Sequence, residues 1–394
     1  MWPTRNHKMM NTFRLLRVVH SLNPAGGGVA EAIRQFGSAA SAQGCDLTVV
    51  TLDEPTAPWL VGLPFEFVAL GPRRNGYGYT PKLAPWLRDN TASFDAAIID
   101  GLWQYHGWAA YRALKGEIPY YVMPHGMLDP WFKRHYPLKH LKKWLYWPWA
   151  EYRILRDAKG VIFTAEEELQ KARQSFWLYR IQDEIIAPLG IQKPSYDSTK
   201  GKALFQQAVP TLGQSPYLVF LGRLHEKKGV DLLIRAYRRF IALVGEPPFQ
   251  LVFVGPARDA AYQAQLEAAA SDCPSIHFAG ILYGDAKWAA LAEAEALILP
   301  SHQENFGLVV AEALAVGTPV LLSKQVDIWR EVIKAKAGHA ENDTEEGALA
   351  LLEQHLALIT HERKETRIQA VRCFKKNFEA DASARRLISM LKSR

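Results

Sequence analysis

Short apolar runs bounded by Gly, Pro or polar residues recur along the whole chain, with stretches of helical spacing between them. In the first half the runs fall at residues 15–20, 47–52, 65–69, 96–99, 120–123 and 160–164. The second half repeats the rhythm at 217–221, 250–255, 276–279, 297–300 and 320–322. Each run is rich in aliphatic and aromatic side chains and too short for a helix, so each reads as a strand. The stretches 29–43, 103–114 and 165–174 between them read as helices. Strands alternating with helices imply parallel sheets covered on both faces, here twice over. The polar stretch 188–216, with its Pro, Gly, Ser and Lys, reads as the linker. A chain of 394 residues is too long for one core and fits two domains.

The chemistry concentrates in three strand-to-helix junctions. In LILPSHQENFGLVVAEALAVGTPV, residues 297–320, the strand stops at Pro300 and a helix starts near Phe306. Gly307 lets the backbone approach a ligand. The amides of Phe306, Gly307, Leu308 and Val309 open the helix without intrahelical partners, which makes an anion site. Glu304 and Glu312 frame it. Carboxylates are poor phosphate ligands but accept hydrogen bonds from sugar hydroxyls, so the junction reads as a nucleotide-sugar site. In LVFLGRLHEKKGVD, residues 218–231, Arg223 and Lys228 precede another helix. A guanidinium fork and a compact ammonium suit a leaving diphosphate, and basic residues at a helix start are unfavourable without an anion. The third junction, NPAGGGVAEAI at 23–33, lacks the last glycine of a dinucleotide fingerprint, because Glu31 stands there. That argues against a dehydrogenase.

The run E-N-F-G-L-V-V-A-E, followed by A-L-A-V-G-T-P-V, resembles the E-x7-E signature of the retaining glycosyltransferases of family 4. The resemblance implies the α/β GT-B fold, two Rossmann-like domains facing a central cleft. Residues 1–190 would form the acceptor-side domain, joined by a terminal helix from about 378 to 394 that crosses back to it. Residues 191–377 would bind the donor. Arg223 and Lys228 match the family's diphosphate pair. Glu304 and Asn305 would orient the donor sugar, Glu312 would take the ribose, and Ile281 and Leu282 would edge the base. Gly27 and Gly28 match the double-glycine loop of the first domain. His125, in VMPHGMLDPW, matches a histidine near the donor sugar and joins Glu304 at the reaction centre. The rim peptide DGLWQYH offers Trp103, Tyr105 and His106 to an acceptor.

The activity implied is retaining transfer of a hexose to a carbohydrate or lipid-linked saccharide in polysaccharide assembly. UDP-glucose is the first expectation for the donor, with GDP-mannose open. No D-x-D motif occurs, so no metal or other cofactor is expected and protein cations would replace it. Pro188-Leu189-Gly190 stands where many relatives carry Pro-Asn-Gly, so hinge contacts do not transfer. The alternatives are a non-catalytic nucleotide-sugar-binding protein and a GT-B-fold epimerase or phosphorylase.

Composition adds two constraints. Cys45, Cys273 and Cys373 are odd in number and widely spaced, which fits a reducing compartment and neither a disulfide scaffold nor a zinc site. No apolar stretch marks a secretory signal or a membrane span, so a cytoplasmic protein is expected. The net charge of +7 is concentrated in residues 131–156, where Lys133, Arg134, Lys139, Lys142, Lys143, Arg153 and Arg156 face only Glu151 among interleaved Trp and Tyr. Such a segment can lie on an anionic membrane surface, cover a helical hairpin with long aliphatic stems, or bind nucleic acid. The partner expected is the membrane surface rather than nucleic acid.

Overall fold

A computed structural model describes residues 12–131, 133 and 137–394. The chain divides into two compact units. One runs up to Gly190 and takes Ala380–Arg394 as well; the other is Ile191–Glu379.

The first unit is built on β1 (Phe13–Val19), β2 (Cys45–Thr51), β3 (Glu66–Ala69), β4 (Ala96–Asp100), β5 (Tyr120–Met123), β6 (Gly160–Phe163) and β7 (Glu184–Ile186). All neighbours pair parallel, in the order β3-β2-β1-β4-β5-β6-β7. Period-two alternation gives the sheet two apolar faces, and each needs cover. Leu16, Val18, Ile99, Val122 and Phe163 pack on one side with α2 (Leu83–Asn90), α3 (Tyr105–Leu114), α5 (Glu151–Asp157) and α6 (Glu166–Ala172). Leu15, Val19, Ile98, Tyr121 and Ile162 pack on the other with α1 (Gly28–Ala40) and the C-terminal helix, Ala380–Lys392. That helix contributes Ala384, Leu387, Ile388 and Leu391, which places the end of the chain in the first unit. One further helix, α4 (Pro137–Tyr146), precedes α5.

The second unit repeats the plan with β8 (Tyr217–Leu221), β9 (Gln250–Val254), β10 (Ile276–Gly280), β11 (Ala296–Leu299), β12 (Val320–Ser323) and β13 (Gly338–Glu341). They form a parallel sheet in the order β10-β9-β8-β11-β12-β13. Its helices include α7 (Ser198–Ala208), α8 (Val230–Val244), α9 (Ala260–Ala270), α10 (Gly284–Ala292) and α11 (Leu308–Ala315). In α8 the residues Val230, Leu233, Ile234, Tyr237 and Phe240 follow helical spacing and are buried, while Arg235 and Arg238 lie outside, paired with acids.

Three elements depart from the sequence expectation. The stretch read as a linker contains α7, whose Gly201 obscured it. A Cβ there would stand 2.5 Å from the Asp285 carbonyl oxygen on α10, so only glycine permits that approach. The strands β7 and β13 were not expected. They are short edge strands, and β13 reads GHAE, half-buried throughout and without an apolar run.

Each sheet reverses its strand order once, between β1 and β4 and between β8 and β11. Loops leaving the carboxyl ends of strands at such points form the natural ligand crevices of open α/β sheets.

Candidate functional site

In the second unit the loops after β8 and β11 are forced together by backbone packing. Gly229 begins α8 at φ 66°, and a Cβ there would lie 2.4 Å from the Pro300 carbonyl oxygen. The His302 amide donates to the Lys227 carbonyl at 2.9 Å. From below, the loop is held by the Glu304 amide on the Gln325 carbonyl (3.0 Å) and by the Asp327 amide on the Glu304 and Asn305 carbonyls (3.1 Å each). The result is an ion pair between Lys228 and Glu304. Burial first, then the charges of Lys227 and Arg223, draws the Lys228 ammonium down to about 7. Arg223 is exposed, with no carboxylate partner among the described residues. Gly307 caps α11 in the left-handed region, and no side chain caps that end. Two cations, Arg223 and Lys228, and an uncapped helix start therefore share one rim.

The remaining donor residues sort by backbone and side chain. Phe306 is buried edge-on against Phe378, with ring centroids 5.4 Å apart, so only its backbone is available to a ligand. Glu312 lies on α11 and receives the Lys287 ammonium of α10 at 2.9 Å. Ile281 is exposed and Leu282 half-buried in the loop that leads into α10. Lys287 escaped the sequence reading, since no motif marks a lysine 25 positions from its carboxylate.

In the first unit the carboxyl ends of β1, β4 and β5 meet in a buried polar relay. Arg17 on β1 holds Asp100 at the end of β4 through two hydrogen bonds, one of them Nε to Oδ2 at 2.8 Å. Burial would raise Asp100, yet the Arg17 charge and hydrogen bonds, with His125, bring its carboxyl down to about 2. The other end of the relay is His125, whose Nε2 lies 2.8 Å from Asp100 Oδ1. His125 adopts φ 52°. A non-glycine residue pays for that conformation only where its surroundings fix it. Glu168 supplies part of the fixing by accepting from the Gly126 and Thr164 amides, each at 2.6 Å. His125 thus turns its Nε2 into the relay, with its side chain 3% exposed.

The acceptor-side expectation changes more. His106 is fully buried with Nε2 2.8 Å from the Asp100 carbonyl oxygen, and burial lowers it to about 4. It is a neutral structural group and lines no open surface. Trp103 packs against Trp147 and Phe176 and donates its indole N–H to the Met127 carbonyl, so it belongs largely to the core. Tyr105 remains at the rim, with Tyr79 at 4.9 Å and Tyr77 at 6.1 Å between ring centroids. Tyr77 also hydrogen-bonds Tyr146 at 2.6 Å. The signal for this cluster was the turn sequence N-G-Y-G-Y at 75–79. Gly27 and Gly28 lie exposed at the start of α1, and nothing stands within 4 Å of a Cβ placed at Gly27.

Residues 202–368 match the model of the glycosyl transferases group 1 family, and residues 27–182 match the glycosyl transferase 4-like domain. The two matches fall in tandem, one in each unit. The chain belongs to the family 4 glycosyltransferases. An uncharacterised glycosyltransferase from Methanocaldococcus jannaschii is 30% identical over 137 residues, 35% of this chain and 34% of that one. This chain thus spans about a third of that relative. A GDP-mannose-dependent phosphatidylinositol dimannoside mannosyltransferase from Mycobacterium tuberculosis is 24% identical over 82% of this chain and 83% of its own. Anabaena HepE, solved in complex with UDP-glucose, superposes with a TM-score of 0.73 at 17% identity over 97% of this chain and all of its own. That likeness establishes the GT-B fold.

The first unit also carries a buried acid, Glu151, that lies outside the motifs. Glu151, at the start of α5, accepts from the strained Trp103 amide at 2.8 Å, and its second oxygen has no hydrogen-bond partner. Burial pushes its carboxyl up to about 8 from an ordinary 4.5, against that hydrogen bond and the Lys143 charge. The folded state therefore keeps a proton that the unfolded chain gives up. Its contribution to stability is whole below about pH 4.5 and is lost as pH rises through about 8. Glu151→Gln keeps the acceptor for Trp103 and removes the titration. Urea unfolding at pH 8.5 should find the variant more stable than the parent, with the difference shrinking towards pH 5; a variant less stable at both pH values would mean that the charge is tolerated.

Proposed function

We propose that this glycosyltransferase moves a hexose from UDP-glucose, with retention, to a saccharide or lipid-linked saccharide acceptor. The observation that carries the reading is the exposed Arg223 beside Lys228 and the uncapped start of α11. That positive rim is the field a departing diphosphate needs. In this reading Arg223, Lys228 and the amides of Phe306 to Val309 take the diphosphate. Glu304 and Asn305 orient the sugar, Glu312 accepts from the ribose, and Ile281 and Leu282 border the base. UDP-glucose is favoured by the ligand that HepE carries, with the mannosyltransferase's GDP-mannose as the competitor. In this reading Glu304 is engaged in orienting the donor sugar, so the motifs offer no well-placed nucleophile. We therefore favour departure and attack on one face, with a freed diphosphate oxygen taking the acceptor's proton. No metal is required, because protein cations carry the charge that one would supply. His125, held by Asp100 and Arg17, is assigned to hydrogen bonding with the sugar or the acceptor.

The same proposal places the enzyme on an anionic membrane surface. Among the described residues no helix is long and apolar enough to cross a bilayer. On α4 and just after it, Leu138, Leu141, Trp144, Leu145 and Trp149 are exposed. Lys142 is exposed among them, whereas Lys143 turns inward, 4.7 Å from the Trp103 ring, and Arg156 pairs with Asp157. Arg134 and the Lys139 side chain lie outside the described residues. An exposed apolar stripe with a basic border suits the plane of a bilayer interface.

Replacing Arg223 with Ala removes a charge-assisted contact of about 1.5–3 kcal/mol. Calorimetry should show UDP binding weakened about tenfold or more, and transfer should persist in excess chelator. Parent-like UDP affinity, or strict dependence on added Mg²⁺ or Mn²⁺, would contradict the phosphate assignment. For the membrane, the parent should sediment with anionic and not with neutral vesicles. Leu141→Ser with Leu145→Ser should weaken that binding without altering UDP affinity. A parent that stays in the supernatant with both vesicle types refutes the membrane reading.

A further inference from the structure

Resting on the donor reading above, we infer that the Lys228–Glu304 ion pair lets the second unit hold the intact nucleotide sugar while rejecting the free nucleoside diphosphate left after transfer. The two side chains are mostly buried, 17% and 20% exposed, and among the described residues each has the other as its ion-pair partner. Their backbones cannot drift apart, because Gly229 abuts the Pro300 carbonyl and the His302 amide is bonded to Lys227. Any change of partner must therefore be a side-chain exchange across a fixed gap.

An entering diphosphate takes the Lys228 ammonium, since phosphate oxygens are the stronger anionic partners beside Arg223. Glu304 then loses that cation. With the sugar attached, hydroxyl donors replace that cation, and the carboxylate stays satisfied. With the bare diphosphate nothing replaces it, so a mostly buried carboxylate is left unpaired beside a polyanion. The unpaired carboxylate weighs on the product complex alone, and the repulsion weighs on it more, because the free diphosphate carries additional negative charge. Once the product leaves, Lys228 returns to Glu304 and the site is reset. The pair is thus a specificity device acting on the two ends of one catalytic cycle. It adds no covalent step.

The test is a binding matrix by calorimetry with UDP and UDP-glucose, and in parallel GDP and GDP-mannose. The proteins are the parent, Glu304→Gln, Lys228→Met and the double variant, each checked for a parent-like unfolding midpoint. Glu304→Asn replaces the Gln variant if that one fails to fold. Glu304→Gln removes the competing charge, so it should bind the free diphosphate about tenfold tighter than the parent does. The nucleotide sugar should bind it no tighter. Lys228→Met should weaken both ligands, and in that background the gain from Glu304→Gln should shrink. If the Gln variant binds the diphosphate no tighter, or binds both ligands tighter by the same factor, the inference is overturned while the donor reading stands. If Lys228→Met binds both ligands as the parent does, the donor reading itself fails and the inference with it.

Discussion

The contact on which the second unit's chemistry depends is a steric one, the Gly229 backbone pressed against the Pro300 carbonyl. It brings the loop after β8 and the loop after β11 within reach of each other at the point where strand order reverses. Each loop alone would be an ordinary strand-to-helix turn. Together they set an ammonium and an exposed guanidinium beside an uncapped helix start, with a carboxylate between. The backbone frame of the positive field is then fixed by the fold, so only the Lys228 side chain must change partner when a diphosphate arrives. The Lys228–Glu304 pair follows from the same constraint, because two loops held this closely must neutralise their own charges when no ligand does so.

The first unit solves a different problem, the burial of charge. Arg17, Asp100 and His125 form a chain in which each member satisfies the next, and a buried ion pair is tolerable only on that condition. The relay ties β1, β4 and β5 together at their carboxyl ends and keeps His125 in a backbone conformation it would not choose. Glu168 and Glu151 serve the neighbouring loops in the same manner by accepting amide hydrogens at bends. Three buried carboxylates around one sheet edge hold a precise rim at the expense of stability, which is the usual balance where binding is built on loops.

Much of this was legible in the chain. Central strands announce themselves because both faces are buried, so their apolar runs are continuous; Tyr120–Met123 and Tyr217–Leu221 fell where the pattern put them. The edge strands β7 and β13 did not, since one flank meets solvent and the pattern dissolves. Helix α7 hid behind Gly201, a residue explained only by its neighbour in space. At the site, motifs gave the residues that face a ligand, because phosphate and sugar demand particular groups at particular spacings. They did not give the partners. Lys287, Asp100 and Arg17 act through contacts between elements distant in sequence. His106 misled for the opposite reason: a polar residue at a helix start suggests a rim, yet its ring turns inward onto the Asp100 carbonyl while Tyr105 beside it stays at the rim.

The claim that the positive rim of the second unit serves group transfer is tested most directly by following both halves of a labelled donor. The enzyme would be incubated with UDP-[14C]glucose and a bacterial lipid-linked saccharide extract, and the label in the extract compared with the UDP released. The account predicts equal amounts of each, dependent on the extract, insensitive to chelator, and abolished when Arg223 and Lys228 are both replaced by Ala. UDP release that does not depend on the extract, or label transfer that survives the double replacement, would contradict it.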